Sequence, residues 1–70
     1  MIRLVEPRKN SAAFVVINEN NIEISRTWMN DGDTLEGFTS STYTVKRPAS
    51  VAYVTYNEQS IELSRRPIQG

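Results

Sequence analysis

AFVVINENNIEISR, residues 13–26, and AYVTYNEQSIELSR, residues 52–65, are two copies of one pattern set 39 positions apart. Eight of the 14 pairs are identical: Ala13/Ala52, Val15/Val54, Asn18/Asn57, Glu19/Glu58, Ile22/Ile61, Glu23/Glu62, Ser25/Ser64 and Arg26/Arg65. Substitutions such as Phe14/Tyr53 and Ile24/Leu63 keep the character of the side chain. Each copy is two runs of β-favouring residues around a polar break, Asn-Glu-Asn-Asn or Asn-Glu-Gln-Ser, which is the pattern of a hairpin. With Ile17 paired to Ile22 across a four-residue loop, alternation puts Ala13, Val15, Ile17, Ile22 and Ile24 on one face. The same register gathers Ala52, Val54, Tyr56, Ile61 and Leu63 in the second copy. The repeat suggests a pseudo-two-fold in which these two apolar faces pack on one another.

Outward from the repeat, further short strands are expected. Ile2 to Val5 alternates, with Ile2 and Leu4 facing inward, and Pro7 with the polar run Arg8 to Ser11 follows as a break. Asn30-Asp31-Gly32-Asp33 is a turn, because Asp and Gly tolerate positive φ. Thr34 to Thr39 reads as a strand with a bulge at Gly37. Thr42 to Lys46 reads as another, with Tyr43 and Val45 on one side, and the tail from Arg66 to Gly70 is expected to be loose. No apolar spacing of three and four persists for two turns, so no helix is expected. The expected fold is all-β, a small barrel or two-layer sandwich of about six to seven antiparallel strands with two repeated hairpins. It forms a single domain over residues 1–70.

Composition narrows the chemistry. Eight basic residues balance eight acidic ones, so no net field steers the chain to nucleic acid or membrane. There is no Cys and no His, which removes disulfides and leaves little for zinc. No apolar run approaches the length of a membrane-spanning helix, and the first residues lack the apolar core of a secretion signal. The expected location is therefore cytoplasmic. A 70-residue chain has a small core, and without disulfides or metal an oligomeric interface is the remaining common support.

Catalysis finds little in this sequence. Seven serines have no His to activate them, only Lys9 or Lys46. The recurring carboxylates, Glu19/Glu58 and Glu23/Glu62, read as solubilising groups. Asp31, Asp33 and Glu36 around Gly32 lack the spacing of a calcium loop. No enzymatic role, cofactor or metal is expected. Tyr43 to Arg47 and Gly32 to Leu35 resemble two segments of the LysM glycan-binding module, but here they stand in the reverse order and without that family's helices, so the match is treated as chance.

The expected function is a non-enzymatic protein–protein interaction or assembly module, self-associating as a homo-oligomer, of a kind that suits a phage or bacterial accessory protein. Its contact surface is placed at Trp28, Met29, Phe38 and Tyr43, which flank the Asp-Gly turn. The alternative is a nucleic-acid-binding barrel that uses Arg8, Lys9, Arg26, Lys46, Arg47, Arg65 and Arg66, with aromatic side chains as stacking platforms.

Overall fold

The structure is a computed structural model and describes residues 1–68. Seven strands form two antiparallel sheets. The first holds β1 (Ile2–Arg8), β2 (Ala13–Asn18) and β3 (Glu23–Trp28), in that order. The second holds β4 (Thr34–Phe38), β5 (Thr42–Arg47), β6 (Ala52–Asn57) and β7 (Glu62–Pro67), also in sequence order. Among the described residues there are no α-helices, only the 3₁₀ turns Lys9–Ser11 and Pro48–Ser50. Of the two expected architectures the sandwich fits. The sheets meet at one corner, where β1 approaches β4 and the Ile2 N–H donates to the Ser40 carbonyl at 2.7 Å.

The repeat is longer than the paired hairpins. Each copy begins with a strand ending in arginine, Arg8 or Arg47, followed by a 3₁₀ turn. That turn closes on a left-handed residue, Ala12 at φ 49° or Val51 at φ 51°. Each hairpin loop then has three residues, Glu19–Asn21 or Glu58–Ser60, with the third again left-handed, Asn21 at φ 64° or Ser60 at φ 62°. The N–H of Asn18 donates to Ile22 and that of Asn21 to Asn18, and Asn57, Ile61 and Ser60 do the same. This is a type I turn followed by a left-handed residue. The side chain of the opening asparagine accepts from two backbone N–H groups, those of Asn20 and Ile22 or of Gln59 and Ile61, which accounts for Asn at both positions.

These loops correct the expected register. Ile17 pairs with Glu23, not Ile22, and a bulge then sets Val15 opposite Arg26 and Ala13 opposite Trp28. The second copy has the same bulge, with Tyr56 opposite Glu62 and Val54 opposite Arg65. Ile22, Ile24, Ile61 and Leu63 are consequently exposed rather than in the core. A register shift in β1 between Ile2 and Leu4 has the same kind of effect: Val5, not Leu4, joins Ile2 in the core. The irregularity expected at Gly37 lies between Leu35 and Gly37. Arg66 and Pro67 belong to β7, and Ile68 donates to Val51, so the tail is ordered that far. Gln69 and Gly70 lie outside the described residues.

The core is built from Ile2, Val5, Phe14 and Val16 of the first sheet against Tyr43, Val45, Ala52, Val54 and Tyr56 of the second. Tyr43 and Tyr56 stack with ring centroids 5.2 Å apart. Phe14 and Val16 alternate with Ala13 and Val15 along β2. The first sheet therefore turns inward the face opposite to the one that the second copy turns inward with Ala52, Val54 and Tyr56. The expected pseudo-two-fold of matching faces is not present. The copies stack in the same sense, one face of the first on the other face of the second.

Val51 is β-branched and 60% exposed, yet it is held in the left-handed region. That conformation costs an L-residue about 1–2 kcal/mol, whereas asparagine tolerates it. Val51→Asn should raise stability by about 1 kcal/mol in urea unfolding, and the same change at Ala12, which lacks branching, should do less. A destabilised Val51→Asn protein would refute this account of the turn.

Candidate functional site

The seam between the sheets is polar along β3. Five groups form a directional chain: Thr27 to the Tyr43 hydroxyl, Tyr43 to Ser60 at 2.6 Å, Ser60 to Ser25 at 2.8 Å, and Ser25 to the Glu58 carbonyl at 2.6 Å. Ser25 gives its only proton to Glu58, so Ser60 must donate to Ser25, Tyr43 to Ser60 and Thr27 to Tyr43. Every hydroxyl from Tyr43 to Ser25 thus accepts once and donates once. Burial pushes the Tyr43 hydroxyl above its ordinary pKa, against the lowering effect of its hydrogen bonds to Ser60 and from Thr27.

At the other end of the seam lies Arg47, which β5 delivers to the inner face. Its Nη1 donates to Asp33 at 2.7 Å, its Nε to the Tyr56 hydroxyl at 2.9 Å and its Nη2 to the Trp28 carbonyl at 2.9 Å. The guanidinium also lies 5.6 Å from the Tyr56 ring centroid. Asp33 is presented by the Asn30–Asp33 turn, where Gly32 takes φ 87° and the Asn30 N–H donates to the same carboxylate oxygen. The expectation of a turn there holds. Asp33 itself is a buried structural anion, not part of an oxygen-rich loop open to solvent.

This placement revises both expected surfaces. Tyr43 is fully buried and is a core and seam residue, so it is not part of an exposed contact patch. Met29 packs against the core. Trp28 is 74% exposed and Phe38 41%, and they belong to different sheets. The four residues do not form one patch.

The basic residues do not converge either. Arg47 is buried and committed to Asp33, so it is unavailable to a nucleic acid. Arg8 and Arg26 share the outer face of the first sheet, where they pair with Glu6 and Glu23. Lys46 and Arg66 lie on the outer face of the second sheet, 6.0 and 4.9 Å from the Tyr53 ring centroid. Arg65 sits on the inward side of the edge strand β7 and pairs with Glu62. Lys9 lines an open hollow of about 290 Å³ beside Met29, Asp31 and Asp33. A second hollow, of about 260 Å³, is lined by Phe38, Tyr43, Thr44 and Arg66 among others. Neither holds a serine beside a lysine.

What sequence reading missed is the division of labour between the copies. The outer face of the first sheet carries Leu4, Glu6, Arg8, Ala13, Val15, Ile17, Glu23, Arg26 and Trp28. Each stands 39 positions before a residue of the second sheet's inner face. The signal was present in the identity of Arg8 with Arg47, which lies outside the hairpin alignment.

The fold and this seam define the class: a two-layer antiparallel sandwich made of two copies of one meander, stacked in the same sense. No family model, no characterised protein and no solved structure gave a match to this chain.

Removing one partner of a buried ion pair leaves the other charge unpaired, at about 3–5 kcal/mol. Asp33→Ala should therefore cost about that much in urea unfolding, whereas Glu62→Ala, in an exposed pair, should cost under about 1 kcal/mol. Hydrogen bonds from Arg26 and Arg65 hold the Glu23 and Glu62 carboxyls below their ordinary pKa of 4.5. A depressed folded-state pKa adds stability above the unfolded value and loses it as pH falls through the folded value. These two small contributions should fade below pH 4.5 and be weakened by salt at any pH. Equal costs for Asp33→Ala and Glu62→Ala would contradict the assignment of Arg47 as the anchor of the seam.

Proposed function

We propose that the protein is a non-enzymatic assembly module that acts through protein–protein contact and associates with copies of itself. The observation that carries this reading is the outer face of the first sheet. There the half-buried Leu4 and Ile17 stand on the same face as Trp28, whose indole is three-quarters exposed. Large exposed aromatics next to apolar surface are typical of contact sites. The counterparts of Leu4, Val15 and Ile17 in the second copy, Tyr43, Val54 and Tyr56, are buried in the core. Edge strands add to the case, since β3 and β7 each lack a neighbour on one side.

One observation favours a second reading at a different place. Lys46 and Arg66 flank the Tyr53 ring on the outer face of the second sheet, a combination of cation and stacking platform that suits single-stranded nucleic acid. That reading requires oligonucleotide binding that weakens steeply with salt. A flat salt response dismisses it.

Light scattering on a sizing column at two well-separated concentrations tests the assembly reading. The apparent mass should rise with concentration, and Trp28→Ala should weaken association about tenfold or more, as a central aromatic contact does. The β-type circular dichroism should be unchanged, because Trp28 lies outside the core cluster. A monomer under all conditions would remove the reading.

A further inference from the structure

The two copies meet through unlike faces, so their contact leaves one face of each kind unused. Inside the chain, the face with Phe14 and Val16 packs on the face with Ala52, Val54 and Tyr56. The unused faces carry the counterparts: Tyr53 and Thr55 on the outside of the second sheet, and on the outside of the first Ile17 with Ala13 and Val15, the last two already covered by neighbouring side chains of the same sheet. Alanine and valine recur at the receiving positions, and an aromatic ring recurs at the inserting one.

Three polar contacts of the seam recur as well. Arg47 donates to the Trp28 carbonyl, and Ser25 donates to the Glu58 carbonyl and bonds Ser60. Shifted by one repeat, these become Arg8 to the Pro67 carbonyl, and Ser64 to the Glu19 carbonyl and the Asn21 side chain. Arg8 and Ser64 are identical to their counterparts. Both are exposed. Arg8 uses only its Nε, on Glu6 at 3.3 Å, and no hydrogen bond engages the Ser64 hydroxyl among the described residues. The bonds of Tyr43 to Thr27 and Ser60 and those of Arg47 to Tyr56 and Asp33 do not carry over, because Leu4 stands for Tyr43, Ile17 for Tyr56, and the 39-residue offset carries Asp33 past residue 70.

We propose that a second copy of this chain docks head to tail. The outer face of its second sheet, centred on Tyr53, Thr55 and Ser64, covers the outer face of the first sheet, centred on Leu4, Ile17 and Trp28. This rests on the self-association reading above and specifies its geometry. Such a contact is heterologous: it leaves a free face at each end, so association continues until a ring closes or a filament grows. Radial stacking of sheets with a period of about 40 residues is how closed rings of β-sheets are built. The competing two-fold contact between outer faces of second sheets would set Lys46 and Arg66 against copies of themselves, a like-charge arrangement that is disfavoured.

Two exposed substitutions separate the possibilities. Trp28→Asp blocks the receiving face and Ser64→Arg blocks the inserting face, and circular dichroism checks that both variants fold. Head-to-tail docking predicts that the unsubstituted chain gains mass between about 10 μM and about 1 mM, and that each variant alone stays monomeric. It also predicts that an equimolar mixture of the two gives a defined dimer, because each supplies the face the other lacks. Arg8→Ala should then weaken the mixed dimer about tenfold. A dimer lost with Trp28→Asp but untouched by Ser64→Arg would overturn head-to-tail docking in favour of a two-fold on Trp28, while self-association stands. Association that neither variant disturbs would also overturn it, in favour of another surface. A monomer up to about 1 mM would overturn both the geometry and the self-association reading.

Discussion

The buried guanidinium of Arg47 is the constraint on which the sandwich depends. A charge without solvent needs partners for its hydrogen-bond donors, and these come from separate parts of the chain: the Asp33 turn, the Tyr56 hydroxyl in β6 and the Trp28 carbonyl at the end of β3. One side chain thereby fixes where the first sheet ends, where the linker turns and how the second sheet sits beneath it. Dispersion and burial of Phe14, Val16, Val45 and Val54 supply most of the cohesion. They are tolerant of sliding, however, and directional bonds to Arg47 and along the Thr27–Tyr43–Ser60–Ser25 chain are not. Register between the sheets is set by the polar seam.

The same sequence pattern is used in two ways. In the second copy the Ala-x-Val-x-Tyr face is core. In the first copy the Ala-x-Val-x-Ile face is outside, yet Ala13 and Val15 have no exposed surface. Both stand on the central strand of a three-stranded sheet, between Arg8 and Trp28 and between Glu6 and Arg26. Long neighbouring side chains with apolar stems can cover small ones in this way. β2 is therefore buried on both faces from Ala13 to Val16. That explains its continuous apolar run, Ala-Phe-Val-Val-Ile, where β6 alternates as Ala-Tyr-Val-Thr-Tyr.

Much of the fold was legible in the sequence because turn chemistry is local. The hairpin breaks, the Asp-Gly turn, the Tyr43/Val45 face and the all-β class follow from residue types within a few positions. The failures came from two sources. A single bulge, set by a left-handed Asn21 or Ser60 that no residue preference makes obligatory, moved the register and exposed Ile22, Ile24, Ile61 and Leu63. The choice of inner face in the first copy depends on the partner sheet, and β2 has apolar residues on both sides, so alternation alone could not decide it. Tyr43 and Arg47 were misassigned to surfaces for a related reason. Their partners Ser60, Thr27, Asp33 and Trp28 are distant in sequence, and a tyrosine or arginine in an alternating strand reads equally as exposed. The continuous run in β2 was the clue to two-sided burial.

The central claim is that the two copies stack in the same sense through unlike faces. Side-chain nuclear Overhauser contacts measure this directly. The account predicts contacts from Phe14 and Val16 to Val45, Val54 and Tyr56, with none from Ala13 or Val15 to those residues. Contacts from Ala13 and Val15 to Ala52 and Val54 would instead establish a two-fold of matching faces and contradict it.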